Sequence, residues 1–314
     1  MSPFISVVSP VYKAEGCVEE LCRRIKLAIE PLTKDYEIIL VEDRSPDQSW
    51  SAIQMEAAKD DRVIGVRLSR NFGQHRAITA GLDVARGEWV VVMDCDLQDP
   101  PEQIPLLYAK AAEGNQIVIA EFDERQESAI RVRISKLFWL SLSWLAGTDF
   151  DPKVGNFRIM SKHVVKSFRC YREQLRLLGG ITTLMGFTTA RILVKRGQRF
   201  AGETSYSALK LLNIAIDITM AYSDKPLKIS AVAGFVMAGI SIIIGIIIFL
   251  LKLFGMIDIT GWASVMISLY LIGGLIIANL GVIGYYLSKT FDETKRRPLY
   301  IVEAMTRDIL KNDD

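Results

Sequence analysis

Histidine and cysteine are scarce in this chain, at two and four residues among 314. His75 and His163 stand far apart in sequence, so neither reads as part of a histidine metal cluster. Cys17, Cys22, Cys95 and Cys170 lack the paired spacing of a zinc site, and disulfides are not expected in a reducing compartment. An excess charge of one sign is also missing, since 38 Lys and Arg residues oppose 36 Asp and Glu. No global basic field points to nucleic acid, and no nucleic-acid partner is expected. The chain shows no internal repeat and no low-complexity tract. Met1–Tyr12 has no basic leader and too short an apolar stretch for a signal peptide.

Apolar residues, by contrast, are abundant. They make up 50% of the chain and give a mean hydropathy of +0.23. The excess is concentrated late, in two runs free of charge, Ile229–Leu251 and Ala263–Leu287, the second containing Asn279. Each reaches the ~20 residues needed to cross the hydrocarbon core of a bilayer. A buried soluble helix passes the same test once, but two such runs in succession argue against it. Lys225 and Lys228 precede the first run, and Lys289, Lys295, Arg296 and Arg297 follow the second. The positive-inside rule therefore predicts a multi-pass protein of the cell inner (plasma) membrane. Its N-terminal domain and tail face the cytoplasm, and the loop Lys252–Trp262 lies outside. The expected organisation is a cytoplasmic domain over residues 1–225, a two-helix membrane region over 226–290 and a cytoplasmic tail over 291–314. Segments 129–145 and 207–222 mix basic and apolar residues. Each reads either as an amphipathic helix on the membrane surface or as a helix buried against the domain, with surface contact favoured for the second.

The N-terminal part alternates strand-like and helix-like segments. Strands are expected at Phe4–Val11, Tyr36–Val41, Val63–Leu68, Glu88–Met93 and Gln116–Ala120, and helices at Val18–Ile29, Gln74–Val84 and Pro101–Ala112. This alternation predicts an α/β fold with a parallel sheet covered on both faces. Ligands of such sheets bind at the carboxyl ends of the strands.

The most informative polar motif lies at one of those ends, Val92-Met93-Asp94-Cys95-Asp96-Leu97-Gln98-Asp99-Pro100. Residues two apart in a regular strand share a face, which would let Asp94 and Asp96 converge on one ion. Hard oxygen donors suit Mg2+ or Mn2+, with diphosphate oxygens completing the shell. A solvated acidic turn is the alternative reading of an Asp-x-Asp pair; its place after the fourth strand, with Gln98 and Pro100 behind it, favours the metal.

With three further segments, this motif resembles the inverting glycosyltransferases of family 2. The segments are Val7-Val8-Ser9-Pro10-Val11-Tyr12, Val41-Glu42-Asp43-Arg44-Ser45-Pro46-Asp47 and Arg70-Asn71-Phe72-Gly73-Gln74. More narrowly, with two spans behind the domain, the chain resembles the polyprenyl-phosphate glycosyltransferases. The resemblance implies a GT-A, Rossmann-like catalytic domain and transfer of a single sugar from a nucleotide sugar, UDP-linked in the bacterial branch, to undecaprenyl phosphate. It implies that Pro10, Tyr12, Glu15 and Asp43 line the nucleoside pocket together with Cys95. A strand-to-helix turn remains the plain alternative for Pro10 and Tyr12, and a helix cap for Asp43. Asp94, Asp96 and Gln98 would form the metal and diphosphate group. Gly155-Asn156-Phe157-Arg158 matches a family stretch in which the bacterial branch often carries Asp where this chain has Asn156. Arg158 is a candidate phosphate ligand, with a surface arginine as the plain alternative. The segment Arg199–Tyr206 resembles the loop that closes over the donor, with Arg199, Ser205 and Tyr206 as its candidates. Arg125, Arg131 and Arg133 are candidate anchors for the lipid phosphate, and a homotetramer is implied by the family.

Two alternatives stay open on the sequence. A processive polysaccharide synthase shares the fold but generally has more spans and a Gln-x-x-Arg-Trp motif, and this chain has neither. A non-catalytic nucleotide-sugar-binding scaffold would not need Asp94, Asp96 and Gln98, all of which are intact.

Overall fold

The computed structural model describes residues 3–122, 154–194, 219, 223–254 and 261–307. The chain divides into two units. The first is built on an eight-stranded sheet. In chain order its elements are β1 (Ile5–Val11), α1 (Val18–Ile29), β2 (Tyr36–Glu42), α2 (Ser49–Lys59), β3 (Val63–Leu68), α3 (Gln74–Val84), β4 (Trp89–Val92), α4 (Ile104–Ala112) and β5 (Ile117–Phe122). They are followed by β6 (Val154–Ser161), α5 (Lys162–Cys170), α6 (Leu178–Leu184), β7 (Thr189–Val194) and, near the end of the chain, β8 (Val302–Met305). The strand order is β7-β5-β6-β4-β1-β2-β3-β8.

The expected strands and helices of the first 120 residues are all present, and the reason lies in their composition. Every residue of β1 and β2 is buried, because helices cover both faces of the sheet centre. Ile5, Val7, Ile38 and Leu40 point to one core cluster, with α1 and α4. Val8, Ile39 and Val41 point to the other, with α3 and α5. The parallel sheet expected from the alternation is the central part, β4-β1-β2-β3, and β5 and β7 form a separate parallel pair. β6 runs antiparallel to β4 and β5, and β8 runs antiparallel to β3, so the whole sheet is mixed. β8 falls in the stretch read from sequence as a tail. Gly65 there donates its N–H to Thr306 Oγ1 at 2.8 Å and accepts from Thr306 N–H at 3.0 Å.

Gly81 sets how closely α3 lies on the sheet. A Cβ at this position would stand 2.3 Å from Val8 Cγ1, which no side chain other than hydrogen permits. At the start of α3, Gly73 has φ 93°, a left-handed turn that aims the helix N-terminus across the carboxyl ends of the strands.

The second unit holds two long helices, α7 (Lys225–Leu253) and α8 (Trp262–Thr294). Windows over Lys225–Leu251 and Ser268–Thr294 are long and apolar enough to cross a membrane, and neither is buried among the described residues. Ser230 meets Asn279 between the helices, and Tyr286 donates to the Ser223 carbonyl at 2.7 Å. Gly234, Gly239, Gly273, Gly274 and Gly281 would have no neighbour within 4 Å of an added Cβ, so these glycines are not what brings the two helices together. Most of segments 129–145 and 207–222 lies outside the described residues.

Candidate active site

β1, β2 and β3 are laid down in one direction across the sheet, and the chain then returns to add β4 on the other side of β1. Loops leaving β1 and β4 therefore start side by side at the carboxyl ends of adjacent strands and lead to helices on one face, α1 and α4, and a crevice at those carboxyl ends is the usual ligand position in an open α/β sheet. The sequence motifs converge at this crevice. Pro10, buried, lies beyond the ladder with β4, which pairs only as far as Val8, so its missing N–H costs no bond to that strand.

The loops after β1 and β2 are tied together. Lys13 N–H donates to Ser45 Oγ at 3.0 Å and Ala14 N–H to Ser49 Oγ at 3.2 Å. Glu15 Oε2 accepts from Gln48 N–H at 2.8 Å, and Glu15 N–H donates to Asp47 Oδ2 at 3.3 Å. Glu15 thus serves as a clasp between the loops. Held this way, Tyr12 keeps 45% of its surface exposed, a flat aromatic face at the mouth of the crevice. Asp43 behaves differently. It is buried, and its two carboxylate oxygens accept from Phe72 N–H at 2.7 Å and Gly73 N–H at 2.8 Å. It holds the loop that leads into α3, and burial pushes its pKa up against these hydrogen bonds.

β4 ends at Val92, before the acidic pair. Asp94 and Asp96 are therefore not alternate residues of a regular strand, as the sequence argument supposed. They belong to a tight turn in which Leu97 takes φ 62°. Asp96 Oδ1 accepts from the N–H of Gln98, itself buried, at 3.1 Å. Asp94 N–H donates to Asp99 Oδ2 at 2.8 Å. Asp94 Oδ1 accepts from Gln74 Nε2 at 2.7 Å and from Asn156 Nδ2 at 3.3 Å. Cys95 points inward to the core, its thiol pushed up to about 12 by burial, with the Tyr12 amide as hydrogen-bond partner. It joins the ends of β1 and β4 from beneath.

Arg158 is not a surface arginine. It is 1% exposed and donates to the carbonyls of Asn156 and Gly155 at 3.3 and 2.8 Å and to Thr182 Oγ1 at 2.9 Å. Burial brings its pKa down to about 10. It braces the backbone of residues 155–156 and is enclosed there, which does not fit the exposed phosphate ligand read from sequence. Sequence reading passed over Gln74 and Asp99 as site residues, although both stand inside motifs it had singled out. Arg125, Arg131, Arg133, Arg199, Ser205 and Tyr206 lie outside the described residues.

The turn offers oxygen donors only. Among the described residues no three His, Cys, Asp or Glu side chains form a metal-holding group. A pair of carboxylates nonetheless fits an ion such as Mg2+, which is commonly held by one or two carboxylates and by substrate phosphates instead of a full protein cage.

Residues 6–174 match the family model described as Glycosyl transferase family 2. The chain belongs to this family. It is 36% identical over 95% of its length to the uncharacterized glycosyltransferase YkcC of Bacillus subtilis, covering 93% of that protein. It is 32% identical to the undecaprenyl-phosphate 4-deoxy-4-formamido-L-arabinose transferase of Pseudomonas fluorescens, covering 97% of this chain and 91% of that one. Among solved structures it is similar to glucosyl-3-phosphoglycerate synthase from Mycobacterium tuberculosis in complex with Mn2+, UDP and phosphoglyceric acid. The TM-score is 0.50 at 17% identity, over 69% of this chain and 76% of that one. The fold is a GT-A-like mixed α/β domain, with two candidate membrane helices behind it.

Proposed function

We propose that this glycosyltransferase moves a single sugar from a UDP-linked donor to undecaprenyl phosphate at the cytoplasmic face of the membrane, with inversion at the anomeric carbon. One observation carries the reading: an acidic turn at the switch point of the sheet stands in the same chain as two helices fit to cross a bilayer. The Pseudomonas fluorescens relative, named for undecaprenyl phosphate, supports the acceptor class.

In this reading Tyr12 packs on the base, and Asp43 shapes the nucleoside side of the crevice by fixing the loop before α3. Asp94, Asp96 and Gln98 would hold Mg2+ or Mn2+, which when bound offsets charge on the departing diphosphate. A phosphate-monoester acceptor, with a second pKa of about 6, arrives as an anionic oxygen and needs no base to remove a proton. Positioning and electrostatic help to the leaving group then suffice. Asn156, an amide, is compatible with this.

A prenyl chain leaves the bilayer only at a cost of ~0.8 kcal/mol per CH2, so an anchored enzyme meets its acceptor at the interface. An even number of crossings is also what the topology needs, since β8, after both helices, pairs with β3 of the same sheet the chain left. The basic residues flanking the spans support a cytoplasmic domain. Glycines of α7 and α8 that meet no neighbour among the described residues support packing between copies, as in a homotetramer.

The test is to incubate membranes containing the protein with labelled nucleotide sugars, UDP-glucose and UDP-4-deoxy-4-formamido-arabinose among them, and to follow label into the lipid fraction. A single-sugar lipid supports the proposal. A polymer would point to a synthase, and donor binding without transfer to any lipid phosphate would point to a scaffold.

A further inference from the structure

Asp94 is approached by two carboxamides from separate parts of the chain. Gln74 is the first residue of α3, and its place is fixed by the hold of Asp43 on Phe72 and Gly73, by the left-handed turn at Gly73 and by the close seat of Gly81 on Val8. Asn156 is placed by the antiparallel register of β4 with β6. Val92 pairs Arg158 there, so the residue two beyond the one faces the residue two before the other. Both amides reach the same atom, Asp94 Oδ1, at 2.7 and 3.3 Å. From behind, the Asp94 N–H is held by Asp99 at 2.8 Å.

The chemistry fixes the direction of these contacts. An ionised carboxylate only accepts hydrogen bonds, and an amide nitrogen only donates them. We propose that Gln74 and Asn156 are positioning residues that lock the orientation of the Asp94 carboxylate, Asn156 serving as a hydrogen-bond donor instead of a proton acceptor. An aspartate at 156 would set two acceptors against each other where this chain has a donor and an acceptor. Amides at both positions remove that repulsion and restrict the rotation of Asp94. The inference rests on Asp94 and Asp96 forming the metal and diphosphate group. Groups that orient a metal-binding carboxylate typically contribute 10–100-fold to metal affinity or activity.

The experiment uses the full chain in detergent and measures Mn2+ binding in the presence of UDP, from the spin resonance of the unbound ion, beside transfer kinetics. Gln74→Ala and Gln74→Glu, together with Asn156→Ala, should weaken Mn2+ binding, by roughly 10–100-fold in the Gln74→Ala/Asn156→Ala pair. Gln74→Glu keeps the length and turns the donor into a charged acceptor, so Gln74→Ala, which adds no charge, is the variant that separates a positioning role from a charge effect. Asn156→Asp should lower the turnover number or leave it unchanged. Gln74 is exposed at a helix end, so its variants carry the test should a change on β6 fail to fold. Wild-type Mn2+ affinity in both Gln74 variants overturns the inference, as does a gain in turnover on Asn156→Asp, the mark of a missing base. Should Asp96→Ala bind Mn2+ as well as the wild type, or the wild type bind none, the metal reading itself fails and takes the inference with it.

Discussion

Replacing His75 with glutamine should flatten the acid side of the stability profile. His75 is the second residue of α3, half-buried, with its Nδ1 closed off from solvent and making no hydrogen bond to the described residues. Burial first, and then the positive charge of Arg158, lower its pKa from 6.5 to about 4. The folded protein therefore keeps the ring neutral, while the unfolded chain protonates it below about pH 6.5. Between those values the unfolded state binds more protons, so stability rises with pH. The contribution is complete above the unfolded pKa and is lost as pH falls towards the folded one. A fall from 6.5 to about 4 corresponds to a ceiling of about 3 kcal/mol at ~1.4 kcal/mol per unit. Partial exposure of the ring reduces this to roughly 1–2 kcal/mol. Urea unfolding of the full chain in mild detergent, followed by tryptophan fluorescence at about pH 7.5 and about pH 5, measures it. The wild type should lose roughly 1 kcal/mol more than His75→Gln between the two conditions. Equal losses would refute the assignment of a buried neutral imidazole beside a buried guanidinium.

Four further outcomes follow from the geometry. Asp96→Ala should abolish transfer while lowering the melting temperature only a little, through the lost acceptor of the Gln98 N–H, because the side chain sits in a turn at the site and not in the core. Gly81→Ala should cost ~1–3 kcal/mol by driving a methyl into Val8, and calorimetry will show it as a lower Tm. Asp43→Ala strips the acceptor from two backbone N–H groups, with an expected loss of ~1–3 kcal/mol in urea unfolding and a higher donor KM. Ending the chain after Arg297 removes β8 and bares the edge of β3, so light scattering should report aggregation that the full chain does not show.

The first 120 residues were legible because each strand there is an apolar run bounded by turn residues and each helix buries one face. β6 and β7 were not. The pattern of β7 alternates exposed and partly buried residues, as an edge strand does, and β6 carries Asn156 and Arg158 where a core strand would carry aliphatics. β8 was hidden by position: four residues beyond a long apolar helix look like a tail until β3 is seen to need a partner. At the candidate site, Asp94, Asp96 and Tyr12 stand out by their motifs, whereas the contact of Gln74 with Asp94 does not. An amide at a helix start gains meaning only when Gly81 allows that helix to approach the sheet and the turn after β4 brings Asp94 under it. Arg158 shows the reverse limit. Its residue type speaks of phosphate, but the neighbours that enclose it are set by the packing of β6 against α6, which no spacing in the sequence reveals.

The buried position of Arg158 also bears on why an asparagine is suited to position 156. A guanidinium enclosed among neutral carbonyls and a hydroxyl favours negative charge nearby, and it depresses the basicity of His75. An aspartate at 156 would stand against Asp94 at the distance now spanned by an amide hydrogen bond, and two carboxylates so close do not both stay ionised, whereas the amide keeps Asp94 ionised and hydrogen-bonded. With an amide at this position, an acceptor that arrives already ionised is favoured. A phosphate monoester satisfies that condition and a sugar hydroxyl does not. The pH dependence of transfer should therefore follow ionisation of the acceptor phosphate, rising through about pH 6 and levelling above it. A rise centred well above that value, measured with a saturating donor, would show that a group on the protein must lose a proton first.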